Sequence, residues 1–411
     1  MPSIAKPAVP SDLKYNNRRQ VLEAFKWGSE YTVNQLAEQI GLSRQTIMKT
    51  VQFFVEKGLL TFVGKGDSTA AGGKRPDVFA LTDQQYLLCI DLWPDQLNLT
   101  LLDLKSRVVD CFQLRQALPD RVPRVLEIVE MLSSNLLAHN CIAMHDLRGV
   151  CISTSGIVNY KTQALRYNSN APAWGLDIPI PELLRPCFGS DVKILAENVA
   201  KLTARALLRQ KELLDKRVLV VFTAWGLSGC LIDKGHIMNG KDSLIGEFGH
   251  MILSPDDEEL CGCGSRGCFE RLVSNERLRQ RVGTVLPQHP TSILNTAMLP
   301  ELTVQTVFAA SAQGDACARQ LVEELARLFA MALRNITLIF DPDLVVFQGD
   351  YAASDPFFLQ QLRCHLMEFQ YYPSAGPFTV QLDKRPLYEL SLQGAYTILM
   401  DRLLNDASAY L

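Results

Sequence analysis

No apolar run in this 411-residue chain approaches the ~18 residues needed to cross a bilayer. The longest, residues 218–227, is interrupted by Thr223 and Gly226 and is the size of a strand. The start of the chain lacks the continuous apolar segment of a secretory signal. These absences predict no membrane insertion and a cytoplasmic location. Histidine is scarce, with six residues. Charge is unremarkable at 21%, against 47% hydrophobic residues, which excludes a chain disordered throughout. The length exceeds a single core and, at roughly 150 residues per domain, predicts two or three domains. Cysteine is plentiful at eleven, but its placement does not suggest disulfides. Most cysteines stand alone among apolar neighbours and read as small buried hydrophobes. The other three crowd into Cys261, Cys263 and Cys268, a spacing that points to metal.

The net charge of −3 conceals an asymmetry. Residues 1–86 hold 11 Lys and Arg against 8 Asp and Glu, and the remainder hold 30 against 36. A weakly basic N-terminal module on an acidic body suits a polyanionic partner. The pattern within that module is sharper. Residues 16–27 carry Val21, Leu22 and Phe25 on one helical face. A second helix begins at Thr32, a capping residue, and stops at Gly41. Ser43 caps a third, with Ile47, Val51, Phe54 and Val55 at i, i+4, i+7 and i+8. Its first turns offer Arg44, Gln45, Thr46 and Lys49, together with Ser43 itself. These are donor-rich side chains able to read base edges in a major groove. Strands at 60–63 and 77–81 flank a glycine-rich basic tip containing Lys65, Lys74 and Arg75. That is a wing able to lie along phosphates. Residues 1–82 therefore read as a winged helix-turn-helix that binds double-stranded operator DNA.

The body, residues 83–411, reads as α/β. Residues 86–114 and 217–237 each alternate through three short strands, and long amphipathic helices follow at Val122–His139 and 316–334. Periodicity supports an α/β fold of two lobes, whose cleft is the default ligand site. The strongest chemical motif is His250 with Cys261, Cys263 and Cys268 among glycines. Cys₃His is a complete tetrahedral set for Zn²⁺, with no open position for catalysis, so the expected role is structural. Ligand type alone also admits cadmium or iron.

Gly246-Glu247-Phe248-Gly249-His250 followed by Cys-x-Cys-Gly-x-x-Gly-Cys-x-Glu270 resembles the signature of the ROK family of repressors, open reading frames and sugar kinases. The winged helix ending in Gly-Gly-Lys-Arg-Pro is similar to the NagC/Mlc/XylR regulator branch of that family. The resemblance implies a two-lobed actin-like (ribonuclease-H-like) sugar-binding body, a structural zinc, and a homodimer or homotetramer. It also implies that Asn198, Glu247, His250 and Glu270 contact sugar hydroxyls, with His250 serving zinc as well.

The chain departs from the kinase pattern at several points. The family's general base is an Asp after Glu-Asn, and here Glu197-Asn198 is followed by Val199, which accepts no proton. The family's first phosphate loop is Asp-x-Gly-Gly-Thr, and here it reads Asp91-Leu92-Trp93-Pro94-Asp95. The second loop reads Thr223-Ala224-Trp225-Gly226-Leu227-Ser228-Gly229, and a paired glycine becomes Gln348-Gly349. These features predict a sugar-responsive transcriptional regulator without enzymatic activity, a repressor of carbohydrate genes. Its effector is a sugar or sugar phosphate, and Val199 favours a pentose or deoxy sugar. The alternatives are a ROK-type sugar kinase and a regulator controlled by a transporter-subunit protein.

Overall fold

The computed structural model describes residues 10–66, 75–368 and 378–405. By contact density these described residues divide into two units: those within 10–167, 173–197 and 395–405 in one, and those within 168–172 and 198–394 in the other.

The first unit begins with α1 (Pro10–Ala24), β1 (Tyr31–Thr32), α2 (Val33–Ile40) and α3 (Arg44–Glu56). α1 starts earlier than its apolar face suggested, because proline is tolerated in a first helical turn. Thr32 and Gln35 form a reciprocal capping box at the start of α2. Gly41 ends α2 at φ +77°, in the left-handed region that favours glycine. Val21, Leu22, Phe25, Leu36, Ile47, Val51 and Phe54 are buried together. Val55, expected on the same face, is exposed instead. β2 (Leu60–Lys65) and β3 (Asp77–Leu81) pair antiparallel with a bulge between Phe62 and Gly64, and the sheet order is β1-β3-β2.

The rest of this unit is built on β4 (Tyr86–Trp93), β5 (Gln96–Asp103), β6 (Val108–Arg115), β7 (Leu147–Thr154) and β10 (Lys193–Asn198), in the order β10-β7-β4-β5-β6. β4, β5 and β6 are an antiparallel meander, and β7 is parallel to β4. Helix α4 (Val122–His139) follows the meander, with a small hairpin β8 (Ile157–Val158) and β9 (Leu165–Tyr167) and helix α5 (Ile180–Phe188) beyond.

The second unit repeats the layout. After α6 (Val199–Arg205) come β11 (Arg217–Thr223), β12 (Leu227–Asp233) and β13 (His236–Ile237), again antiparallel. Helices α7 (Phe269–Leu272), α8 (Asn275–Val285), α9 (Val304–Ala312) and α10 (Ala316–Phe340) lead to β14 (Leu344–Gly349), parallel to β11. α11 (Pro356–Glu368), β15 (Thr379–Asp383) and α12 (Leu387–Leu404) follow, with α12 from Ala395 onward belonging to the first unit. α10 runs past Arg334 to Phe340 because the next residue, Asp341, turns left-handed at φ +50° and stops it. Phe269, Phe329, Phe347, Tyr351 and Phe358 form the aromatic centre of this unit's core, ring centroids 4.4–6.2 Å apart where they meet. Among the described residues no helix is long and apolar enough to cross a membrane.

Candidate functional site

The five side chains expected to read DNA stand on the first turns of the third helix in two roles. Ser43 caps α3 by accepting the Thr46 N–H at 3.2 Å, and the two hydroxyls lie 2.9 Å apart. Both side chains are thus engaged in the cap. Arg44, Gln45 and Lys49 are exposed, and Gln45 and Lys49, four residues apart, are neighbours on the helix surface. Met48 stands exposed beside them. In the wing, Lys65 forms an ion pair with Asp77 on the paired strand and lies 5.6 Å from the Phe62 ring centroid. Its charge already has a partner. Arg75 is exposed, and Lys74 falls outside the described residues.

The metal-ligand set comes together from separate turns. The ligand atoms of His250, Cys261, Cys263 and Cys268 all lie within 4.8 Å of one another. Cys263 Sγ is 3.6 Å from Cys268 Sγ, and Cys261 Sγ is 3.6 Å from His250 Nδ1. Tetrahedral zinc, with bonds of about 2.3 Å to sulfur and about 2.0 Å to nitrogen, sets its ligands roughly 3.5–3.8 Å apart. These two separations fit that geometry, and the Cys263–Cys268 one is far longer than a disulfide of about 2.05 Å. Gly267 makes the turn possible: it sits at φ +69°, and a Cβ there would lie 1.8 Å from Ser254 O. Burial pushes the Cys268 thiol up to about 12 and raises that of Cys261. These sulfurs keep their protons unless a cation displaces them.

Three of the four expected sugar contacts gather around this cluster. Glu247 precedes His250 by three residues; burial raises its carboxyl pKa, opposed by the positive fields of His250 and Lys201. Glu270 Oε2 accepts the Leu227 N–H at 2.7 Å, and Oε1 is 3.9 Å from Cys261 Sγ. Asn198 is the N-cap of α6, its Oδ1 accepting the Ala200 and Lys201 N–H groups at 2.8 and 3.4 Å. Lys201 follows Asn198 by three residues. It is buried, donates to Asn239 Oδ1 at 2.9 Å, and acts on Glu247. Neither Lys201 nor Asn239 stood out as a site residue in the sequence, because their pairing joins residues 38 apart. Glu270 also borders a cavity of about 790 Å³ lined by Trp225, Gly226, Ser274 and Tyr351.

A family model described as ROK matches residues 87–399, most of the chain. The chain belongs to the ROK family. A second model, winged helix-turn-helix DNA-binding, matches residues 16–61. The DNA-binding transcriptional dual regulator NagC of Escherichia coli (strain K12) is 25% identical over 80% of this chain and 79% of its own length. The crystal structure of a ROK family transcriptional regulator, a homolog of the E. coli MLC protein, superposes with a TM-score of 0.74 at 16% identity, covering 97% of this chain and 99% of that one. A ROK family glucokinase from Streptomyces griseus, solved with glucose and AMPPNP, reaches 0.62 at 22% identity, covering 77% of this chain and 99% of its own. The fold is the two-lobed actin-like ROK body behind a winged helix.

The two loops expected to depart from the kinase pattern, residues 91–95 and 223–229, are tied up by hydrogen bonds within the chain. β4 and β5 stay paired to Trp93↔Gln96, so only Pro94 and Asp95 make the turn, and Leu92 and Trp93 are buried. In the second loop Ala224 N–H donates to Gly226 O at 3.0 Å and Leu227 N–H is held by Glu270. A Cβ on Gly226 would lie 2.6 Å from Glu270 Oε2, so glycine here makes room for that carboxylate. Gln348 is buried, donating to Thr203 O at 3.3 Å and Asp383 Oδ2 at 3.1 Å. Val199, at the family's base position, is buried.

Proposed function

We propose that the protein is a sugar-responsive transcriptional repressor of carbohydrate genes, whose ROK body senses a ligand and performs no phosphoryl transfer. The observation that carries this reading is the pairing of an exposed donor face on α3 with a body whose phosphate loops are occupied by its own residues. Arg44, Gln45 and Lys49 enter the major groove, and Lys65, Lys74 and Arg75 lie along phosphates. Residues 1–82 form the DNA-binding domain, and residues 83–411 form the effector and assembly domain. The chain acts in the cytoplasm as a homodimer or homotetramer, since operator half-sites are read by two winged helices together. Asn198, Glu247, His250 and Glu270 hold the hydroxyls of a neutral sugar. Two carboxylates and one buried lysine favour such a ligand over a phosphate. Zinc at His250, Cys261, Cys263 and Cys268 fixes the loop that carries Glu270.

A duplex selected by the protein from a random library, titrated with and without xylose, a deoxyhexose, glucose, N-acetylglucosamine and glucose 6-phosphate, tests the reading. One neutral sugar should weaken binding, and Glu247→Gln should abolish its effect. Failure to select any duplex would overturn the assignment. A response confined to the phosphate ester would overturn the neutral-sugar reading.

A further inference from the structure

Helix α12 carries a glycine in its interior, where alanine would be the better helix former. The reason is contact. A Cβ on Gly394 would lie 1.9 Å from Leu202 O and 2.5 Å from Leu202 C. α12 and α6 therefore meet backbone to backbone, with no side chain between them to absorb a shift. Leu202 belongs to α6, whose N-cap is Asn198, the residue assigned above to a sugar hydroxyl.

Two residues further along α12, Tyr396 is wholly buried. Its ring centroid is 5.7 Å from that of Trp27. Its hydroxyl donates to Leu104 O at 2.8 Å and to Lys26 O. A phenol carries one hydrogen, so it can serve these two carbonyls only in turn. One belongs to the β5–β6 turn, and the other to the segment that leaves α1. Lys26 also pairs with Asp401, five residues further along α12. The winged helix is thus fastened to the last turns of α12 at the residues that follow its first helix.

We propose that α6, Gly394 and Tyr396 form the mechanical link between the ligand site and the DNA-binding domain, with Tyr396 as a positioning residue. Its single proton gives the link two discrete states, bonded to Lys26 O or to Leu104 O. Coupling requires an element with such alternatives. This rests on the DNA-binding reading above.

Linkage is reciprocal, so operator binding must be felt at α6 even without a sugar. The experiment is hydrogen–deuterium exchange on the full chain, with and without the duplex that the wild type selects from a random library. Bound duplex should slow exchange of amides 200–204 by about fivefold or more, the lower end of ordinary allosteric coupling. Tyr396→Phe keeps the ring and loses the hydroxyl. It should still bind the duplex, with the change at 200–204 gone. Trp27→Phe, which alters the opposing ring alone, should reduce the change, and it carries the test if Tyr396→Phe folds poorly. Unaltered exchange at 200–204 in duplex-bound wild type overturns the link while leaving DNA binding intact. A full response in both variants overturns the role of Tyr396. A protein that selects no duplex overturns the function and the link together.

Discussion

Arg44 and Gln45 are exposed on the first turn of α3, where an N-terminal cap already fixes the backbone. A guanidinium reading a guanine edge there loses both hydrogen bonds when truncated. Arg44→Ala should therefore cost ~1–3 kcal/mol of operator affinity and relax the preference at one base pair. Anisotropy titrations with single-base operator variants measure both effects, and unchanged affinity would remove α3 from the groove. Lys65 differs, because the structure gives it an anion of its own. Both partners of the Lys65–Asp77 pair are more than a third exposed, so the pair is worth only about 0–1 kcal/mol. It still competes with phosphate for the lysine. Asp77→Asn should make log affinity fall more steeply with log salt, by about one. A slope equal to the wild type would mean that Asp77 does not compete with phosphate for Lys65. The sequence showed the lysine but not its competitor, because the pair joins strands across the wing.

At the scale of elements, the loop from His250 to Cys268 is held by a turn that only glycine can make and by four convergent ligand atoms. Elemental analysis should find about one zinc per chain, since a closed Cys₃His set contributes its binding energy to folding. Cys263→Ala should lower the unfolding temperature, and Gly267→Ala should do the same by displacing the turn. Metal-free protein of undiminished thermal stability would rule this out. The ligand set was legible in the sequence because its spacing is local. So were the strands β4 to β6 and helix α4, where alternation and helical periodicity are strong. What was not legible depends on neighbours distant in sequence. β6 read as half-buried, yet it is a sheet edge, with Val108, Val109 and Phe112 exposed. Glu270 read as a sugar contact, and the structure also spends one oxygen on the Leu227 amide.

For the molecule as a whole, the question is whether a kinase-shaped body still transfers phosphate. Loss of a general base typically costs 10²–10⁴-fold. The occupied backbone amides remove the phosphate cradle besides. No ATP-dependent phosphorylation of any hexose should be measurable, and a turnover in the usual kinase range of about 1–100 per second would overturn this reading. Val199→Asp should not restore turnover either, because the β4–β5 hairpin and the Glu270 carboxylate remain in place. A coupled assay with ATP and glucose checks both proteins. Glu270 stands two residues beyond a metal ligand, and the winged helix contributes no atom to that cluster. Protein stripped by a chelating column or a zinc-poor medium should therefore still grip its operator but turn deaf to sugar, a constitutive repressor made by starvation rather than by mutation.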